Sequence, residues 1–212
     1  MIEYVKPEDI EKHSFEIIRN ELPHPLNPAY APIILRVIHT TADFGYADTL
    51  TFSENVIGRA VSALKRGVPI VSDTNMIQAG VDKNRLFKLG GKIHCFMGDE
   101  DVAETARANG STRARAAVDK AVGMGTPFIF AVGNAPTALI RICELKAEGK
   151  YSPELVIGVP VGFVNVAEAK EMLIQSGIPY ITVRGRKGGS TVAAAICNAL
   201  LRMAVDEENP DV

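Results

Sequence analysis

From about residue 53 onward, short runs rich in Val and Ile alternate with stretches whose apolar residues recur at helical spacing. That alternation is how repeated βα units joined into a parallel sheet appear in a sequence. The apolar runs predict strands over 68–72, 92–96, 127–132, 155–159 and 180–183. Helical spacing predicts crossover helices over 54–66, 102–108, 113–122, 136–148, 166–175 and 191–205. In the first of these, Val56, Ile57, Ala60, Val61 and Leu64 form one stripe, with Ser53 set to cap the start and Gly67 the end. Five strands with right-handed crossovers make a three-layer α/β/α sandwich, with strand order 2-1-3-4-5 as the preferred topology. Ahead of residue 50 lie two more helical patterns, 7–20 and 32–40. The proline-rich stretch Leu22-Pro23-His24-Pro25-Leu26-Asn27-Pro28 between them reads as a bend. The whole of 1–212 is therefore expected to form a single domain, with a frayed, solvated acidic tail over 206–212.

Composition narrows the chemistry. A chain with 47% apolar residues, 6% aromatic and no Trp builds its core from Ala, Val, Ile and Leu, which suits helices packed closely on a sheet. The net charge of -2 supplies no basic field for a polyanion, so nucleic acid is not an expected partner. No basic segment followed by an apolar core opens the chain and no apolar run is long enough to span a bilayer, so a soluble, cytoplasmic protein with no membrane partner is expected. Cys95, Cys143 and Cys197 are far apart and lie in apolar segments, which reads as buried reduced thiols. Neither they nor His13, His24, His39 and His94 form a zinc spacing, so no metal is expected.

In an open parallel sheet, ligands bind beyond the carboxyl ends of the strands, so the loops there carry the candidate chemistry. Ser72-Asp73-Thr74-Asn75 is dense in hydrogen-bonding groups. In Gly133-Asn134-Ala135-Pro136-Thr137 a proline at the first helical turn leaves neighbouring N–H groups to face an anion, which makes Asn134 and Thr137 candidate binding residues. Gly158-Val159-Pro160-Val161-Gly162-Phe163 is apolar and glycine-bearing, as expected where a flat ligand nears the backbone. Arg184-Gly185-Arg186-Lys187-Gly188-Gly189-Ser190-Thr191 runs straight into a helix, a cationic start suited to carboxylates or to a phosphate. It is not a Walker motif, because two glycines follow Lys187, and no Gly-x-Gly-x-x-Gly follows the first strand. A plain turn capped by Ser190 is the competing reading of this segment.

Among the histidines, His39 shares a helical face with Arg36, one turn away and off the stripe of Ile33, Ile34, Val37 and Ile38. A guanidinium there can hold a substrate carboxylate beside the imidazole. His94 alternates with Ile93 and Cys95 in a strand and reads as a histidine satisfied within the sheet, while His24 lies in the proline bend and His13 on a polar helix face.

Five segments together resemble one family. They are Ser14-Phe15-Glu16-Ile17-Ile18-Arg19, Arg36-Val37-Ile38-His39, Gly133-Asn134-Ala135-Pro136-Thr137-Ala138-Leu139, Gly158-Val159-Pro160-Val161-Gly162-Phe163-Val164 and Arg186-Lys187-Gly188-Gly189-Ser190. In this order over nearly the whole chain they are similar to the precorrin-8X methylmutases of cobalamin biosynthesis. The resemblance implies a flavodoxin-like fold, a homodimer with active sites near the subunit contact, and a corrinoid substrate. It implies His39 as the catalytic histidine and substrate contacts at Ser14 and Arg36. It also implies an isomerase that moves a methyl group from carbon 11 to carbon 12 in a [1,5]-sigmatropic shift, with no organic cofactor. Thr40-Thr41-Ala42-Asp43 departs from the small residues that follow the family's histidine. Protonation of a ring nitrogen is work for one placed acid, which an imidazole can be. Substrate carboxylates give Arg184, Arg186, Lys187, Gly188, Gly189 and Ser190 a reason to gather at one helix start. Two other readings stay open: a flavodoxin-like enzyme acting on a phosphorylated small molecule, and a tetrapyrrole carrier without catalysis.

Overall fold

The computed structural model describes Tyr4 and residues 6–205, so the acidic tail lies outside the described residues. Its centre is a six-stranded sheet of β1 (Leu50–Phe52), β2 (Ile70–Ser72), β3 (Ile93–His94), β4 (Ile129–Val132), β5 (Leu155–Gly158) and β6 (Tyr180–Val183). The order across the sheet is β1-β6-β5-β4-β2-β3. The five strands from β2 to β6 are mutually parallel, and counted along the chain they lie in the order 2-1-3-4-5. The expected five-stranded sheet is corrected to six strands, because β1 pairs antiparallel with β6, Leu50 opposite Val183 and Phe52 opposite Ile181. β1 is three residues long and is recruited by the exposed ladder of its neighbour.

The parallel strands are buried on both faces, yet their residues still divide by parity. Ile129 and Ala131 of β4 join the apolar layer on one side, Phe130 and Val132 the layer on the other. The first layer is covered by α1 (Ile10–Glu21), α2 (Ala31–Thr41), α4 (Val56–Lys65), α5 (Asn75–Gly80), α6 (Lys83–Lys88) and α11 (Ser190–Val205). A single helical turn, α3 (Tyr46–Thr49), leads from α2 into β1. The second layer is covered by α8 (Arg113–Val122), α9 (Pro136–Ala147) and α10 (Val166–Gln175), with α7 (Glu100–Ala108) packed on α8.

α11 is buried nearly all round, from Val192 through Ala193, Ala194 and Ala195 to Leu201, because the sheet lies beneath it and α2 lies over it. Its alanines permit close approach: a Cβ on Gly80 of α5 would stand 3.1 Å from that of Ala194. The expected Ser53 cap is replaced by Asn55 in the left-handed conformation, while the Ser53 hydroxyl accepts from the Tyr180 N–H at 2.9 Å. Gly67 ends that helix as expected, with φ +75°. Cys143 and Cys197 are buried, whereas Cys95, near the short edge strand β3, is only half-buried. No helix among the described residues is long and apolar enough to cross a membrane.

Candidate active site

The loops beyond the carboxyl ends of β2, β4, β5 and β6 are tied into one another. At the point where strand order reverses, between β2 and β4, the Asp73 carboxylate accepts hydrogen bonds from the N–H groups of Gly133 (2.8 Å), Asn134 (2.8 Å) and Ala135 (2.7 Å). The anion that these amides face is therefore the chain's own carboxylate, which corrects the expectation that they bind a ligand. Asp73 is fully buried, and that burial pushes its pKa up against the three amide bonds, which favour the ionised form. Thr74 Oγ1 lies 2.9 Å from Ser190 Oγ, so Ser190 is bonded across the site and opens α11. A Cβ on Gly133 would sit 2.6 Å from Ser190 Cα, a distance only glycine tolerates. Gly188 is held as tightly, at φ +152° with a hypothetical Cβ 2.2 Å from the Val159 carbonyl oxygen. The amides of Gly189 and Gly162 complete the weave by donating to Val159 and Arg186 carbonyls.

Beside this weave a cleft of about 380 Å³ opens between α2, α5 and α11. Arg36 and His39 of α2 both line it, together with Met76, Asp82, Arg85, Thr191 and Arg202. The shared helical face expected for Arg36 and His39 is thus a shared wall. His39 is exposed to the cleft, its ring tilted against Phe15 of α1 with centroids 5.2 Å apart. The Arg36 guanidinium is 4.7 Å from the centre of the same Phe15 ring and is ion-paired with Glu11 of α1. Arg202 of α11 reaches the other side of Glu11 at 3.3 Å. Burial works to raise the pKa of Glu11, but the two guanidiniums outweigh it and hold that carboxyl below its usual range. Arg85 pairs with Asp82 at 2.6 Å. The cleft and its first partners thus set three guanidiniums against two carboxylates, a surplus of positive charge suited to an acidic ligand.

The cationic loop after β6 is exposed at Arg184, Arg186 and Lys187. Arg184 pairs with Glu171 (2.9 Å) and Lys187 with Asp43 (2.6 Å), while Arg186 lies 5.4 Å from the Phe163 ring centre. Beneath the loop, Lys170 of α10 is completely buried, and its Nζ donates to the carbonyls of Gly185 (2.9 Å) and Lys187 (2.6 Å). Around it the surface is apolar: Phe163 is 80% exposed and Val164 76%.

The structure therefore gathers His39, Arg36 and Thr191 of α11 at one cleft, whereas Arg186, Lys187, Gly188, Gly189 and Ser190 do not line it. Ser14 does not line the cleft; its hydroxyl donates to the Ile10 carbonyl within α1, one residue before the Phe15 that packs on His39. Asn134 is exposed, and Thr137 accepts from the Thr112 hydroxyl at 3.0 Å on the α8 side. Glu11, Lys170 and Arg202 are the residues that sequence reasoning missed, and Asp73 was marked there only as part of a polar loop. Of the remaining histidines, His24 meets Asp48 at 2.7 Å and His94 stacks on Phe96.

Fold and cleft define the class: an α/β domain of doubly wound type, with interlocked loops at the carboxyl edge of a parallel sheet and an open cleft between the helices on one face. The family model described as precorrin-8X methylmutase matches residues 9–203. A cobalt-precorrin-8 methylmutase of Priestia megaterium is 45% identical, covering 94% of this chain and 89% of its own length. One of Salmonella typhimurium is 43% identical over 92% of this chain and 95% of its own. A crystal structure of the precorrin-8X methylmutase of Thermus thermophilus superposes with a TM-score of 0.87 at 40% identity, covering 94% of this chain and 97% of that one. The chain belongs to the precorrin-8X methylmutase family, and it is an enzyme of the isomerase class.

Proposed function

We propose that the enzyme isomerises precorrin-8X, or its cobalt-containing form, to hydrogenobyrinate or cobyrinate. A methyl group moves from carbon 11 to carbon 12 in a [1,5]-sigmatropic step, and no atom is gained or lost. His39 acts as general acid, placing a proton on a ring nitrogen so that the reactive tautomer forms. The observation that carries this reading is the common cleft of His39 and Arg36, held beside the Ser190 start of α11. An imidazole carries a proton on either ring nitrogen, so it can both deliver and recover the proton in one cycle. Arg36, Arg186 and Lys187 meet the acetate and propionate groups of the macrocycle, and the apolar loop through Val161 and Phe163 faces its ring. Ser14, Asn134 and Thr137 are assigned to the outer part of the substrate site.

The cleft of about 380 Å³ is open to solvent, so a ligand as large as a corrinoid can extend from it over the loops or against a second chain. A homodimer with the sites near the contact, and one domain per chain working in the cytoplasm, complete the reading. The test is incubation with precorrin-8X and with its cobalt form, followed by absorption spectroscopy and mass measurement. A new spectrum at unchanged mass is the expected result. Shifted bands without a new product would indicate a carrier, and no spectral response to either corrinoid would favour a phosphorylated substrate.

A further inference from the structure

Among the described residues only two side chains of the Asp, Glu, Lys, Arg and His types are buried, Asp73 and Lys170, and each binds the backbone of a loop at the carboxyl edge of the sheet. Lys170 has no carboxylate partner: the two bonds at its ammonium go to carbonyl oxygens of Gly185 and Lys187. An ammonium removed from water without a counter-ion is costly, and an apolar residue of similar size at such a place is commonly as stable or more so. Packing therefore does not account for a lysine here, whereas loop geometry does. The residues it grips flank Arg186, and the same loop is clamped from the other side by Gly189 on Val159 and by Lys187 on Asp43.

We infer that Lys170 is a positioning residue for substrate binding, an internal cation that fixes the backbone of the 184–189 loop so that Arg186 and Lys187 meet the carboxylates of the corrinoid. Carbonyl dipoles turned inward towards Lys170 leave the cationic side chains turned outward, which pre-organises the charged rim before the ligand arrives. The inference rests on the proposed role of that loop, and deepens it by naming what holds the loop in place.

The test measures the Kd of cobyrinate across a range of salt concentrations, with the single-turnover rate at saturation measured separately. Lys170→Met should remain folded, weaken binding about tenfold and flatten its salt dependence, with the saturated rate within about threefold of the parent. Lys170→Arg, which keeps a buried cation with donors for both carbonyls, should recover most of the affinity. Lys170→Leu, likewise without a donor, gives the same reading as Lys170→Met should the latter not fold. A folded neutral variant that binds like the parent, while the Arg186→Ala/Lys187→Ala double variant binds weakly, overturns the inference and leaves the loop's role intact. A double variant that binds like the parent overturns the role of the loop itself.

Discussion

The imidazole of His39 and the guanidinium of Arg36 stand one helical turn apart on α2, and Phe15 contacts both. Replacement of His39 by Ala should leave product binding within a few fold and reduce single-turnover conversion by about 10²–10⁴. Asn at this position keeps hydrogen bonding without usable acidity. If His39 donates a proton, His39→Asn fails almost as badly as His39→Ala; near-parental conversion by either variant removes the catalytic assignment. This pair was legible in the sequence because helical spacing alone puts the two residues on one face. The roles of Asp73 and Lys170 were not, for opposite reasons. The partners of Asp73 lie 60 to 62 residues away and become neighbours only because β2 and β4 pair in the sheet. Lys170 stands in Glu168-Ala169-Lys170-Glu171, which reads as a solvated helical face until the loop closes over it.

At the scale of elements, α1 is latched to the cleft by one carboxylate. Glu11 joins Arg36 of α2 to Arg202 of α11, so the latch depends on its ionisation. Its pKa in the folded protein lies below the unfolded value, so its contribution is present above pH ~4.5 and is lost as pH falls through the folded value. Glu11→Gln should cost about 1 kcal/mol at neutral pH and lessen the decline of stability between pH 5 and 3, as read by thermal melts across that range. A decline as steep as the parent's would place the acid-sensitive contact elsewhere. The approach of the β4–α9 loop to α11 makes a second prediction. Gly133→Ala should cost about 1–3 kcal/mol in chemical denaturation, because the new methyl group collides with backbone that cannot swing aside. Helices with a long periodic stripe were legible to the residue, as over Arg113–Val122 and Val166–Gln175. The six-residue helices α5 and α6 and the three-residue β1 were not, since two turns or one strand pairing carry too little periodicity to show before tertiary contacts form.

For the whole molecule, the exposed apolar run of Val161, Phe163 and Val164 argues for association. Sedimentation at micromolar concentration should give the mass of a dimer, and a fully active monomer would refute it. The parallel order 2-1-3-4-5 was anticipated because right-handed crossovers leave few alternatives, but nothing in the pattern announced an antiparallel strand closing one side. That closure governs how copies of the chain can meet. A sheet edge is a ready template for another molecule's backbone, and this sheet ends in strands of three residues at β1 and two at β3. Neither offers a foreign strand more than a few amides, so growth of fibrils by edge addition is blocked at both ends. Crowded copies of the folded chain are left to meet through helices and loops.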